Sequence, residues 1–265
     1  MGLINFFRNI FSNKENSTIS ISYSNPKSSS KDSLSKNIGV TDALCPYCNS
    51  DLEKKPTRKT KCPHCNSYIY KRTRPYDNSE ILIREDQIDL IEEEWSIVND
   101  SHDIYLKEKS REHRIRNEMR ERFGREPDDL DVEFRVLNDQ AVESAFEGMW
   151  GFARNSRMKM AKNLEKRKRY ELALRMYFHV CFYDLNGPNN VRNNRNDHHP
   201  YFTPENAQLA PGIIKRMKKL ITELNFDEED CEISFMEVNE PVFEGTPTTL
   251  NPEKAWPKLK KELFD

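Results

Sequence analysis

The chain has 265 residues, a net charge of −2 and only 8 glycines. That length gives room for one or two domains plus a tail, the charge excludes a bulk polycation, and the absence of Gly-x-Gly-x-x-Gly and Gly-x4-Gly-Lys-Ser/Thr strings argues against a glycine-looped nucleotide fold. Charged residues at 32 % and hydrophobic residues at 36 % describe a high-surface, mainly helical protein with modest cores, and no apolar run approaches the roughly 20 residues of a membrane span.

Residues 1 to about 40 read as a disordered tail, because Ser, Asn and Lys dominate positions 13–37 and leave little apolar surface to bury. At its start Leu3, Ile4, Phe7, Ile10 and Phe11 share a helical face. This segment suits a membrane surface, a partner's groove or the chain's own body. Met1-Gly2 lacks the downstream Ser/Thr of a myristoylation signal, since Phe6 stands there.

Positions 41–76 carry the strongest signal, Cys45-Pro46-Tyr47-Cys48 and Cys62-Pro63-His64-Cys65. A Cys-x-x-Cys turn aims two sulfurs at one ion, and two such turns close a tetrahedral Zn2+ site of zinc-ribbon type. Proline after the first Cys fixes φ for the turn. Asn49 and Asn66 follow the second Cys, and asparagine is the side chain that best tolerates a left-handed conformation. A disulfide pair needs an oxidising compartment, and no secretory signal is seen. Iron on four thiolates is the remaining alternative. Four Cys ligands leave no open position for water, so Zn2+ here is structural. A segment of about thirty residues needs such a staple to fold. His64, between two ligands, is expected at the surface. Tyr68-Ile69-Tyr70 reads as a short strand, and Ile81-Leu82-Ile83 as either another strand or the run into a helix.

Residues 77–124 read as a charged helical connector. Ile88, Ile91, Trp95 and Val98 fall at helical spacing. Ser101 is placed to cap a second helix, almost entirely charged and ending near Gly124, that projects into solvent or bridges modules. Residues 125–265 read as an α-helical domain. Pro127-Asp128-Asp129 opens a helix that Gly148 ends, Pro211-Gly212 opens another through Leu224, and Asp227 caps a third carrying Ile233, Phe235, Met236 and Val238. Thr203-Pro204-Glu205 is expected to cap a helix, and Asn251-Pro252 to open a terminal one in which Pro257 implies a kink or late start. Cys181 and Cys231 read as buried small hydrophobes.

Residues 150–185 form a helical hairpin that resembles a tetratricopeptide repeat, on Arg169-Tyr170-Glu171, Ala173-Leu174, Tyr177 and the later Pro188-Asn189-Asn190. The resemblance implies close packing of two helices through Ala161, Leu164, Tyr170, Ala173 and Tyr177. Lys168 stands where that family has its turn glycine, and no second repeat follows at a period of 34, so a plain αα-hairpin stays open. The whole arrangement is similar to a family of uncharacterised bacterial and phage zinc-ribbon proteins, on the strings at 55–59, 70–75 and Asp184-Leu185-Asn186-Gly187-Pro188-Asn189-Asn190. That resemblance implies no activity.

Charge is uneven. Residues 45–74 are net +6 through Lys54, Lys55, Arg58, Lys59, Lys61, Lys71, Arg72 and Arg74, residues 154–169 are net +7, and residues 225–265 are net −7. Basic side chains among Tyr47, Tyr68 and Tyr70 suit nucleic acid, with cations on phosphates and rings on bases; neutralising a Zn(Cys)4 centre explains the same cations. Asp197-His198-His199 is a histidine cluster that reads as polar loop or, with carboxylates from elsewhere, as part of an enzyme site. No nucleophile elbow or His-Glu-x-x-His string occurs. The expectation is a non-enzymatic, cytoplasmic interaction protein with protein partners, with nucleic-acid binding through the ribbon and an unrecognised enzyme as alternatives.

Overall fold

The computed structural model describes residues 34–191 and 200–265. The amphipathic start at 3–11 and the Asp197-His198-His199 cluster lie outside the described residues. Among the described residues the chain is mainly helical, with eight α-helices and one small antiparallel sheet, and no helix is long and apolar enough to cross a membrane. It divides into two compact units, Met1–Tyr105 and Leu106–Asp265.

The first unit is built on β1 (Thr60–Lys61), β2 (Tyr68–Thr73) and β3 (Glu80–Ile83), in that spatial order. Register pairs Lys61 with Tyr68 and Tyr70 with Ile83. Successive strand residues point to opposite faces, and both faces of this sheet are covered. Ile81, Ile83 and Tyr70 pack with Ile38 and Ile91 of α1 (Ile88–Val98) on one side. Ile69 and Leu82 pack with Cys45 and Cys62 on the other. The Ile81-Leu82-Ile83 run is therefore a strand buried on both faces, which is why its sequence shows no alternation. The folded unit includes chain ahead of the cysteines: Leu34 and Ile38 are buried, Ser35 N–H donates to the buried Glu94 at 2.9 Å, and Val40 bridges to Leu82.

The charged helix α2 (His102–Phe123) lies along α3 (Asp129–Phe146). Within the second unit Lys107 and Arg111 pair with Glu143, Arg114 with Asp139, and Arg116 with Asp129. Ile115 is its single buried residue. Ion pairs at modest exposure contribute little each, so a mostly solvated helix stays consistent with its sequence, and it is tied to α3 through these long side chains. Ser101 stands at the N-cap position of α2, with its carbonyl accepting Tyr105 N–H at 3.0 Å, while its hydroxyl donates to the Ser96 carbonyl at 3.3 Å.

Helix α5 (Tyr170–Asn186) is the axis of the second unit and packs against α4 (Trp150–Lys166), α6 (Pro211–Leu224), α7 (Glu228–Gly245) and α8 (Pro252–Phe264). It is buried without a break from Met176 through Asn186, as a helix surrounded by others must be. Ala161, Leu164, Ala173 and Tyr177 are buried in its core, with Tyr170 packed against the edge. Phe178 and Phe182 meet Phe235 edge-on at 5.8 and 6.3 Å between centroids. Ile233 is instead exposed, with Cys231 and Phe235 turned inward. Pro257 does not delay α8, because Asn251 caps the helix, Pro252 takes its first turn and the helix runs on past Pro257. Thr203-Pro204-Glu205 produces a single 3-10 turn, Pro204–Asn206.

Lys168, in the turn between α4 and α5, has φ +57°. Left-handed backbone costs a residue with a Cβ about 1 kcal/mol relative to glycine. Lys168→Gly is therefore expected to stabilise the second unit by about 1 kcal/mol, read as a higher midpoint in urea with an unchanged slope.

The loop after α5 ties the unit together. Asn186 is fully buried: its Oδ1 accepts Leu250 N–H at 2.7 Å and Thr249 N–H at 3.2 Å, and its Nδ2 donates to the carbonyls of Phe182 and Leu250. Gly187 has φ +65°, and a Cβ there would meet the Thr203 carbonyl oxygen at 2.1 Å. Asn190 Oδ1 accepts Phe152 N–H at 3.0 Å and so caps the first turn of α4 from outside.

Candidate metal centre

Each cysteine pair sits on a turn with the same wiring. In the first, Asn49 N–H donates to Cys45 O and Cys45 N–H to Ser50 O, both at 2.9 Å. In the second, Asn66 N–H donates to Cys62 O and Cys62 N–H to Ser67 O, again at 2.9 Å. Asn49 and Asn66 take φ of +57° and +61°, the conformation that Asn tolerates best after glycine. Backbone amides inside the turns point at sulfur, Tyr47 to Cys45 at 3.5 Å and His64 to Cys62 at 3.4 Å. The turns thus orient thiols inward without help from distant side chains.

All four sulfurs lie within 4.8 Å of one another. The Cys45–Cys65 and Cys48–Cys62 separations are 3.7 and 3.8 Å. Disulfides require about 2.05 Å, and all four cysteines are free. A tetrahedral thiolate centre with bonds of about 2.3 Å spaces its sulfurs about 3.8 Å apart. The donor set therefore fits a four-coordinate metal ion. His64 is exposed, with Nε2 3.2 Å from the Asp51 carbonyl, and it does not join the thiol cluster.

The thiols are not equivalent. Burial pushes Cys45 up to about 12. Hydrogen bonding with the Ser50 hydroxyl and amide pulls Cys48 down to about 6, and the Ser67 amide lowers Cys65. Cys48 is thus the more acidic of these thiols, whereas burial favours the protonated form of Cys45, which loses its proton on coordination.

A third turn repeats the pattern without cysteine. In Arg74-Pro75-Tyr76-Asp77-Asn78-Ser79, Asn78 N–H donates to Arg74 O and Arg74 N–H to Ser79 O, both at 2.9 Å, and Asn78 has φ +60°. Arg74 and Asp77 stand where the other turns place their thiols. They form a two-pronged ion pair, Nε–Oδ1 2.9 Å and Nη2–Oδ2 2.6 Å. Ser79 N–H bonds Asp77 at 3.0 Å, as the Ser50 and Ser67 amides do for Cys48 and Cys65. The Arg74 guanidinium beside Asp77 holds that carboxyl well below the usual carboxylate range. Arg74 Nη1 also reaches the Ile38 carbonyl at 3.4 Å. A reading organised around cysteines passes over this turn; its signal is the Pro-x-x-Asn-Ser string common to all three.

The eight basic residues of the ribbon divide into two groups. Lys55 donates to the carbonyls of Thr41 and Glu80, Lys71 pairs with Glu80 at 2.5 Å, and Arg74 is held by Asp77. Lys54, Arg58, Lys59, Lys61 and Arg72 enter no ion pair among the described residues. Lys59 Nζ lies 4.3 Å from the Tyr68 ring centroid and 4.7 Å from that of Tyr70, Lys61 Nζ 5.1 Å from Tyr68, and Arg72 5.8 Å from Tyr70. These are cation–π distances, and Tyr68 is 43 % exposed.

The basic stretch at 154–169 does not form one surface. Arg154 is locked to Asp184 at 2.5 Å, Arg157 donates to Asn138 at 2.9 Å, Arg167 pairs with Asp131 and Lys166 with Glu133. Lys159, Lys162, Lys168 and Arg169 remain exposed. Comparison with protein-family models, with curated proteins and with solved structures finds no match for the chain.

Proposed function

We propose that this chain is a non-enzymatic interaction protein of the cytoplasm, in which a structural Zn2+ staples the first unit and the two units serve as docking modules within a macromolecular assembly. The observation that carries the reading is the closed set of four thiols: Cys45, Cys48, Cys62 and Cys65 account for every position of a tetrahedral ion and leave none for a substrate or an activated water. Sulfur spacing near 3.8 Å supports Zn2+ and suits tetrahedral iron equally, so elemental analysis of purified protein decides: one zinc per chain is expected, and iron would displace that part. The α4–α5 hairpin, read as a single tetratricopeptide-like repeat, is the second module. Cross-linking in the native host followed by mass analysis is expected to recover a discrete heteromeric species. Recovery of free monomer alone removes the scaffold reading.

A second reading, nucleic-acid binding by the ribbon, is favoured by Lys59, Lys61 and Arg72 arrayed over Tyr68 and Tyr70. Rings stack on bases while the cations meet phosphates. Affinity for a labelled single-stranded oligonucleotide is then expected to fall about tenfold for a doubling or tripling of salt. Combined Lys59→Glu, Lys61→Glu and Arg72→Glu should abolish it, whereas Lys71→Glu should perturb the Glu80 pair and leave most binding. Binding that ignores the triple substitution removes this reading.

A further inference from the structure

A cavity of about 730 Å3 opens between α4, α5 and α6 in the second unit, within the size range of small-molecule sites. Met158, Lys162, Glu165 and Lys166 line it from α4, a spacing that puts them on one helix face. Ile213, Arg216, Lys219 and Leu220 line it from the facing side of α6, and Tyr177 of α5 contributes to the floor.

Three observations fix the chemistry of an occupant. The first is charge. Lys162, Lys166, Arg216 and Lys219 face Glu165 and Glu223. Glu165 is buried and already committed: it accepts the Tyr177 hydroxyl at 2.5 Å and pairs with Arg216. Lys166 reaches Glu133 at 3.6 Å. Lys162 and Lys219 have no ion-pair partner among the described residues, so the space carries a net positive charge. The second is an uncapped helix start. Ala210 occupies the N-cap of α6, where a methyl group cannot accept the first-turn amides, and Pro211 and Gly212 follow at the cavity edge. An anion at that point would receive both the Gly212 amide, which has no acceptor among the described residues, and the positive end of the helix. The third is apolar lining. Met158, Tyr170, Ile213 and Leu220 supply nonpolar wall to the cavity.

We infer that this cavity binds a small organic anion with an apolar body, its phosphate or carboxylate held by Lys162, Lys219 and the first turn of α6, and its hydrocarbon part lodged against Ile213, Leu220 and Met158. The site is independent of the metal and of the partner reading above.

The test uses the full chain and 1-naphthyl phosphate, titrated by calorimetry, with 1-naphthol and inorganic phosphate as the two halves of the probe. Saturable one-to-one binding is expected, at least about tenfold tighter than either half, since the charged contact and the apolar contact each contribute on that scale. Lys162→Gln with Lys219→Gln should weaken it about tenfold without changing the thermal midpoint. Gly212→Leu, which sets a bulky side chain at the exposed cavity edge beside the first turn of α6, should weaken it similarly; if that variant melts early, the Gln pair carries the test. The inference is overturned by the absence of saturable binding, by equal affinity for 1-naphthol, or by unchanged affinity in the Gln pair. Salt-sensitive binding of the oligonucleotide that the Gln pair abolishes, with no binding of the aryl phosphate, would assign the lysines to a polyanion and also overturn it.

Discussion

Chelation of the full-length chain is expected to open the first unit only in part and to leave the second folded. The three wired turns provide an internal comparison, because the Asn49, Asn66 and Asn78 amides make the same bond at the same 2.9 Å. Two of those turns carry the four thiols placed to hold a metal ion; the third is closed by Arg74 and Asp77. Hydrogen exchange at Asn49 and Asn66 should accelerate by about a hundredfold or more once metal leaves, since structural Zn2+ contributes on the order of 10–16 kcal/mol and the metal-side core holds little besides Ile69, Leu82 and Leu52. Asn78 should keep its protection, because its side of the sheet retains Ile38, Tyr70, Ile81, Ile83 and Ile91. Loss of protection at all three amides together would show that the unit has one core rather than two. Acid should reproduce the contrast. Coordination requires thiolates, so metal is released as pH falls, and Cys45, pushed up to about 12 without metal, readily takes its proton back. Asp77 has the opposite profile. Its pKa is depressed in the fold, so its contribution is complete above the ordinary carboxylate pKa and is lost only as pH falls towards the depressed value. Between those limits the third turn outlasts the other two.

Asn186→Ala is expected to lower the stability of the second unit by about 3 kcal/mol. Asn186 is fully buried, and its removal leaves the amides of Thr249 and Leu250 without an acceptor; each orphaned buried group costs about 1–3 kcal/mol. For a unit of this size the midpoint should fall by about 6–12 °C, followed by helical circular dichroism. Asn186→Asp separates the roles. It retains an acceptor for the two amides but loses the donor to Phe182 and Leu250 and buries a charge, so it should be no better than alanine. If alanine costs less than about 1 kcal/mol, the approach to α8 is held by packing and not by this side chain.

How much of this was legible depended on how local the determinant is. The metal turns could be read from Cys-Pro-x-Cys-Asn because every bond that shapes them lies within six residues, and the left-handed φ of Asn49 and Asn66 follows the side chain. Helices α3 and α7 could be placed from their caps, Asp128 accepting Leu130 N–H at 2.8 Å and Asp227 bonding Asp230 in a capping box. Residue Asn186 was visible only as part of a distinctive string, since Thr249 and Leu250, whose amides it accepts, lie more than sixty positions away. Likewise, the cations at 154–169 looked like one surface until the fold supplied Asp131, Glu133 and Asp184 as partners. Proline proved a weak guide inside helices: Pro241 and Pro257 sit within α7 and α8, which continue past them. The cavity between α4, α5 and α6 had no sequence signature, because its lining is assembled from residues far apart in the chain.

The recurrence of one bend with thiols twice and an ion pair once separates two jobs that ligand turns are usually credited with together. Pro-x-x-Asn-Ser shapes each bend, as Arg74-Pro75-Tyr76-Asp77-Asn78-Ser79 does with no ion to wrap around. A metal ion held by the four thiols would then couple two bends that already favour their shape. Its capture would be a short-range encounter between two preformed hooks and not the rebuilding of a loop.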